Sequence, residues 1–247
     1  MSSMTMGRMA SVPQSINSTS TDQKAPLGTS VRLSDGREFV YAEAGGVALP
    51  SGRICQAAVQ VANHIDMATT TGAVGDKTIT VTLGATLASE NQYADGLLVV
   101  TDDTGDIALA GGVLSISGHP AAASAATLVV SLKDALSEAV DANSTTTLVA
   151  NKYSDILIAA GTGSATLVGV PIVDLGVGEF GWVQTRGLVA CLTDGTLVAG
   201  DPVTNSDTID GAVSPLTATQ AIDEGHIGYC QVANADADIS VIDLQIG

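Results

Sequence analysis

The stretch that most constrains the fold is Lys77-Thr-Ile-Thr-Val-Thr-Leu83. Ile79, Val81 and Leu83 alternate with Thr78, Thr80 and Thr82. A period of two puts each set on its own face of a strand, one toward a core and one toward solvent, as in a half-buried antiparallel sheet. The same style recurs along the chain. Leu97 to Val100, Gly112 to Ser117, Thr145 to Asn151, Ile156 to Ala160, Val168 to Leu175, His226 to Val232 and Ile239 to Ile246 all read as strands, as does Arg53 to Val61. Two hairpins are expected. Val31 to Val40 turns at Asp35-Gly36, and Leu188 to Val198 turns at Asp194-Gly195.

Composition supports many short strands. Hydrophobic residues make up 45% of the chain but aromatic residues only 3%, so Val, Leu, Ile and Ala must build the core. The 247 residues suffice for one large all-β domain or two smaller ones. One helix is expected, over about residues 128–142. There Leu132, Leu136, Ala139 and Val140 fall at helical spacing, with Asp134, Glu138 and Asp141 opposite. The expected fold is mainly β, with antiparallel sandwich or barrel units, that one short helix and an extended N-terminal arm. Three regions follow: a flexible arm over residues 1–26, a β-rich domain with the helix over 27–177, and a small β-barrel or sandwich over 178–247. The arm is polar with scattered small apolar residues, and orders either not at all or on a partner.

The segment Phe180-Gly-Trp-Val-Gln-Thr-Arg-Gly187 holds the only Trp and one of two Phe residues. An indole flanked by glycine is expected to sit close against backbone. Thr101-Asp-Asp-Thr-Gly-Asp106 reads as a turn.

The charge narrows the function. Nine Lys and Arg against 26 Asp and Glu give a net charge of −17. Nucleic acid and anionic membrane surfaces both require basic protein surface, so neither is an expected partner. Cys55, Cys191 and Cys230 are far apart and odd in number, which suits buried thiols in a reduced compartment. No apolar run reaches the ~20 residues of a membrane helix, and the N-terminus lacks a secretory apolar core. Folding in a cytoplasm is expected.

No catalytic, cofactor-binding or metal-ligating residue is assigned. Gly176-Val-Gly-Glu-Phe-Gly181 fits G-x-G-x-x-G, but β-like sequence follows where a dinucleotide site needs a helix. Asn234-Ala-Asp-Ala-Asp-Ile-Ser240 spaces oxygens like a calcium loop, but Ile239 and Gln245 stand where the turn glycine and the bidentate glutamate belong. His64, His119 and His226 are isolated, and no nucleophile elbow occurs. The chain is not expected to be an enzyme.

Several segments carry a resemblance. They are Leu27-Gly-Thr29 with Asp35-Gly-Arg-Glu-Phe-Val-Tyr41, Ile79-Thr-Val-Thr-Leu-Gly-Ala85 with Asn91-Gln-Tyr-Ala-Asp-Gly96, Phe180 to Gly187, and Gly211-Ala-Val213 with Ile227-Gly228 before the closing strand. Together they resemble the head decoration (cement) proteins of tailed bacteriophages, over most of residues 27–247 and none of the arm. The resemblance implies a virion structural protein on the capsid exterior, assembled in the host cytoplasm. Its implied partners are the major capsid protein and further copies of itself, as a homotrimer. A rival expectation is a fibre, tail or adhesin β-module that binds host glycans. The shortage of aromatic platforms speaks against that rival.

Overall fold

The computed structural model describes residues 13–70, 72–102, 112–161, 163–217 and 225–246. The protein is mainly β and antiparallel throughout its named strand pairs. It divides into two compact units. One comprises residues 1–56 and 155–247, the other residues 57–154. The division therefore does not fall near residue 178: the first 56 residues join the C-terminal part, and the intervening stretch is a unit of its own.

The first unit holds β1 (Ser30–Arg32), β2 (Glu38–Glu43), β3 (Cys55–Gln56), β10 (Leu157–Ile158), β11 (Leu167–Pro171), β12 (Phe180–Leu192), β13 (Pro202–Asn205), β14 (Val213–Pro215), β15 (Gly228–Val232) and β16 (Ile239–Gln245). Its sheet runs β10-β3-β11-β12-β16-β15-β13-β14, with the β1–β2 hairpin attached to β12. The spine is β12. Its first half pairs with β2, from Phe180 opposite Glu43 to Arg186 opposite Glu38. Its second half pairs with β16, from Arg186 opposite Gln245 to Leu192 opposite Ile239. The strand changes partner at Gly187, where φ is +83° and where a Cβ would stand 3.2 Å from the Arg37 Cα. Gln184 supports this bend, its Nε2 donating to the carbonyls of Arg186 and Leu188.

Each half of β12 carries its own core. Trp182 packs with Phe39, Tyr41 and Ala25. Val189 and Cys191 pack with Val203, Val213, Cys230, Ile242 and Leu244. The expected β1–β2 hairpin is present, turning at Gly36 with φ +90°. The second expected hairpin is not. After Leu192 the chain bridges Val213 at Thr193, and the partner of this part of β12 is the distant β16 rather than residues 196–198. The Asp194 side chain is engaged elsewhere, accepting from the hydroxyls of Ser206 and Thr208. A local turn signal thus lost to a long-range pairing that buries Ile242 and Leu244.

The second unit holds β4 (Met67–Ala68), β5 (Thr78–Thr82), β6 (Leu97–Asp102), β7 (Val113–Gly118), β8 (Thr127–Leu132) and β9 (Thr145–Val149) in the order β4-β9-β6-β7-β8-β5. A bridge between Thr69 and Val81 links the two ends, so the sheet is a nearly closed barrel. Closure protects strand edges that would otherwise be open. The interior is filled by Ile79, Val81, Leu98, Val100, Ile116, Leu128, Val130 and Leu148. Ile79 and Val81 point inward and Thr78 and Thr82 outward, as the alternation requires.

The expected helix over 128–142 is absent. Thr127–Leu132 is β8, paired residue by residue with β5 from Thr78 opposite Ser131 to Thr82 opposite Thr127. Leu128, Val130 and Leu132 point inward at a period of two, while Val129 is exposed. Leu136 and Val140 reach the same core from an irregular segment. Leu136 exchanges backbone bonds with Gly75 and Asp76, and Val140 with Gly72. Their four-residue spacing comes from this loop pairing and not from a helical turn. β-Branched residues and a ready strand partner outweighed an amphipathic pattern. Residues 103–106 of the expected turn at Thr101 to Asp106 lie outside the described residues.

Candidate functional site: the arm seat and the outer face of the spine

The described part of the arm is bound to the body. Gln14 is 7% exposed and acts at the centre of the contact. The Trp182 Nε1 donates to the Gln14 carbonyl at 3.1 Å. The Tyr41 hydroxyl donates to Gln14 Oε1 at 2.7 Å, and Gln14 Nε2 donates to the carbonyls of Ser18 and Phe180. Further along, Ser20 and Phe180 exchange both backbone bonds, and the Lys24 amide donates to the Tyr41 oxygen. Burial pushes the Tyr41 phenol above its ordinary value of 10. The arm was expected to be flexible over residues 1–26. Within the described residues, 14 to 25 instead cover the aromatic cluster.

The reason is polar satisfaction. Trp182 and Tyr41 lie edge to face with centroids 5.1 Å apart, both fully buried. Their N–H and O–H groups need partners once removed from water. A polar segment supplies these without adding apolar bulk. The sequence placed Trp182 against backbone, and that backbone belongs to Gln14. Nothing in the local sequence marked Gln14 as its partner.

The other exposed feature of the spine is its second half. Leu188, Ala190 and Leu192 point away from the core. Beside Leu188, a cleft of about 670 Å³ is lined by the Asp35-Gly36 turn and by Arg186, Gly187, Leu188, Asp243 and Gln245.

The sequence candidates for chemistry resolve as follows. Residues 176–181 lead into strand β12, so no helix N-terminus faces Gly176 to Gly181. The Gly176 amide donates to the Glu179 carboxylate instead, which holds the pKa of that carboxyl below its usual range. In the Asn234–Ser240 loop, Asp236 accepts from the Gly195 amide and Ser240 Oγ from the Asn234 amide. These oxygens shape a turn. Among the described residues, no group of three or more His, Cys, Asp or Glu side chains is placed to hold a metal ion.

His64 and His119 look isolated in sequence but meet at Tyr93 inside the barrel unit. The Thr86 carbonyl can only accept, so His64 Nε2 carries the proton and Nδ1 accepts from the Tyr93 hydroxyl. His119 Nδ1 faces the Pro120 carbonyl, and its Nε2 accepts the Tyr93 amide at 3.0 Å. All three rings are buried, and burial pushes the Tyr93 phenol up to about 12. The trio satisfies itself and anchors the Asn91–Gly96 turn. Asn91 also accepts from the His119 amide. The thiols of Cys55 and Cys191 are pushed up to about 12 by burial and are free.

No family model, curated protein or solved structure matches this chain.

Proposed function

We propose that this chain is a virion structural protein of a tailed bacteriophage, a decoration protein that binds the outer face of the head and stabilises it by bridging capsomers. The observation that carries the reading is where the resembling segments lie. Asp35 to Tyr41 forms the hairpin on the spine, Phe180 to Gly187 is the spine's first half, and Ile79 to Leu83 is the closing edge of the barrel. They are framework positions, as suits a protein that works through a rigid body and its surface.

The partners in this reading are the major capsid protein and copies of the chain itself. A capsid offers threefold and quasi-threefold positions, so a homotrimer is the closed form suited to them. A net charge of −17 suits the capsid exterior better than a face turned to packaged DNA. On this account the protein is not an enzyme, assembles in the host cytoplasm and resides on the virion.

The test is mass measurement of the purified protein alone and after mixing with capsids stripped of decoration. Rebinding with a raised capsid melting temperature is expected. A protein that ignores capsids, or that scores on a glycan array instead, overturns the proposal in favour of the adhesin reading. Deleting residues 1–12 retains Gln14 and the described contacts of the arm, and is expected to lower capsid occupancy. Unchanged occupancy removes those residues from the attachment.

A further inference from the structure

We propose that the cavity between the loop leading into β11 and the end of β13 binds a small neutral polyol, of the size of a single sugar ring. The cavity holds about 520 Å³ and is lined by residues 163–167, Thr204 and Asn205. Asn205 is 5% exposed, and its Nδ2 donates to the Ala160 carbonyl at 2.9 Å and to the Ser206 carbonyl at 3.3 Å. Two carbonyls on the nitrogen fix the amide, since the flipped group sets oxygen against oxygen twice. Oδ1 is the end left over for the cavity, and it has no hydrogen-bond partner. Ser214 Oγ, opposite Thr204 in the β13–β14 ladder, is buried without a partner as well. Buried oxygens that lack a donor are few in folded proteins, and one on the wall of a cavity marks where a donor from outside fits.

The walls are pinned by buried amides. Ala160 is held from both sides, its carbonyl by Asn205 and its amide by Gln56 Oε1 at 3.0 Å. The next amide, that of Gly161, donates to Asp210 Oδ1 at 3.1 Å. Gln56 Nε2 reaches past Ala160 and donates to Ser164 Oγ at 2.8 Å. With its oxygen accepting from Gln56, Ser164 keeps its hydroxyl hydrogen for a ligand. The cavity thus offers an acceptor at Asn205 and a donor at Ser164, with Thr166 beside them. A ligand hydroxyl donates to the first and accepts from the second, and the C–H face of a ring suits Ala165 and Leu167. None of the described lining residues is charged, so neither an anion nor a cation finds its counter-ion here. A chain at −17 repels anions besides. None is aromatic either, so the affinity is expected to be about millimolar. The inference does not rest on the capsid reading.

Nuclear magnetic resonance titration of the isotope-labelled full chain with glucose, galactose and mannose tests it. Saturable shifts are expected at Ala160, at residues 163–167 and at the Asn205 side-chain amide for at least one of the three. Glucosamine and glucuronic acid, charged at neutral pH, are expected to bind at least about 5-fold more weakly than that sugar. Ser164 and Thr166 are exposed, so their variants leave the core alone. Ser164→Ala with Thr166→Val is expected to weaken binding at least about 10-fold at an unchanged melting temperature. Ala165→Trp fills the cavity and is expected to abolish binding. No shift at about 100 mM of any of the three sugars means a cavity that holds water only, and overturns the proposal. Shifts confined to another part of the chain, tighter binding of the charged sugars, or a folded Ala165→Trp that binds normally do the same. Capsid rebinding is a separate measurement. A chain that takes the sugar and ignores capsids loses the capsid reading and keeps this one, and the reverse result does the opposite.

Discussion

At the scale of single residues, two polar side chains do more than their composition class suggests. Gln14 gives Tyr41 an acceptor and holds the Phe180 carbonyl. Gln14→Ala leaves the Tyr41 hydroxyl buried with one partner fewer, and is expected to cost about 1–3 kcal/mol by chemical denaturation. Asp194 is the second. Hydrogen bonds from Ser206 and then Thr208 hold its carboxyl below its ordinary value of 3.8. A depressed carboxylate contributes stability that is complete above its unfolded value and is lost as pH falls through the folded one. The melting-temperature gap between wild type and Asp194→Asn should therefore be constant from about pH 5 to 7 and shrink below about pH 4. A gap that widens in acid would refute the assignment. Neither role was legible in the sequence. Glutamine and aspartate in loops carry no signal of a partner 166 residues away in one case, or of two hydroxyls in the other.

At the scale of elements, strict alternation was legible and mixed patterns were not. Lys77 to Leu83 has one reading and the structure follows it. Residues 128–142 have two, because Leu128, Val130 and Leu132 fit a period of two while Leu132, Leu136 and Val140 fit helical spacing. The strand won through a partner that no local window contains. Val129 discriminates the two outcomes. It is 45% exposed in β8. Val129→Ala removes a β-branched residue from a strand and is expected to destabilise by up to about 1 kcal/mol. In a helix the same change would stabilise. Gly187 is the matching test on β12. Its φ of +83° strains any side chain, and a Cβ there would crowd Arg37 at 3.1 to 3.2 Å. Gly187→Val should cost at least about 2 kcal/mol, read as a lowered denaturation midpoint.

At the scale of the whole molecule, the strands could be read but not their order. Residues 27–43 and 178–192 each announce strands, yet nothing local says that β2 and β12 are neighbours. Those pairings decide the units. Residues 57–154 expressed alone are expected to melt cooperatively, since every neighbour of β4 to β9 lies within that range. Residues 178–247 alone are not, because the first half of β12 then lacks β2 and β11. A cooperative melt of 178–247 would contradict the sheet order. The arm seat carries one more consequence. Trp182 is the single indole in the chain, and its N–H is bonded to the segment that covers it. The protein is thus its own fluorescent probe. Its emission reports whether residues 14 to 25 are seated, so arm release can be followed in solution, on assembly, without attaching a label.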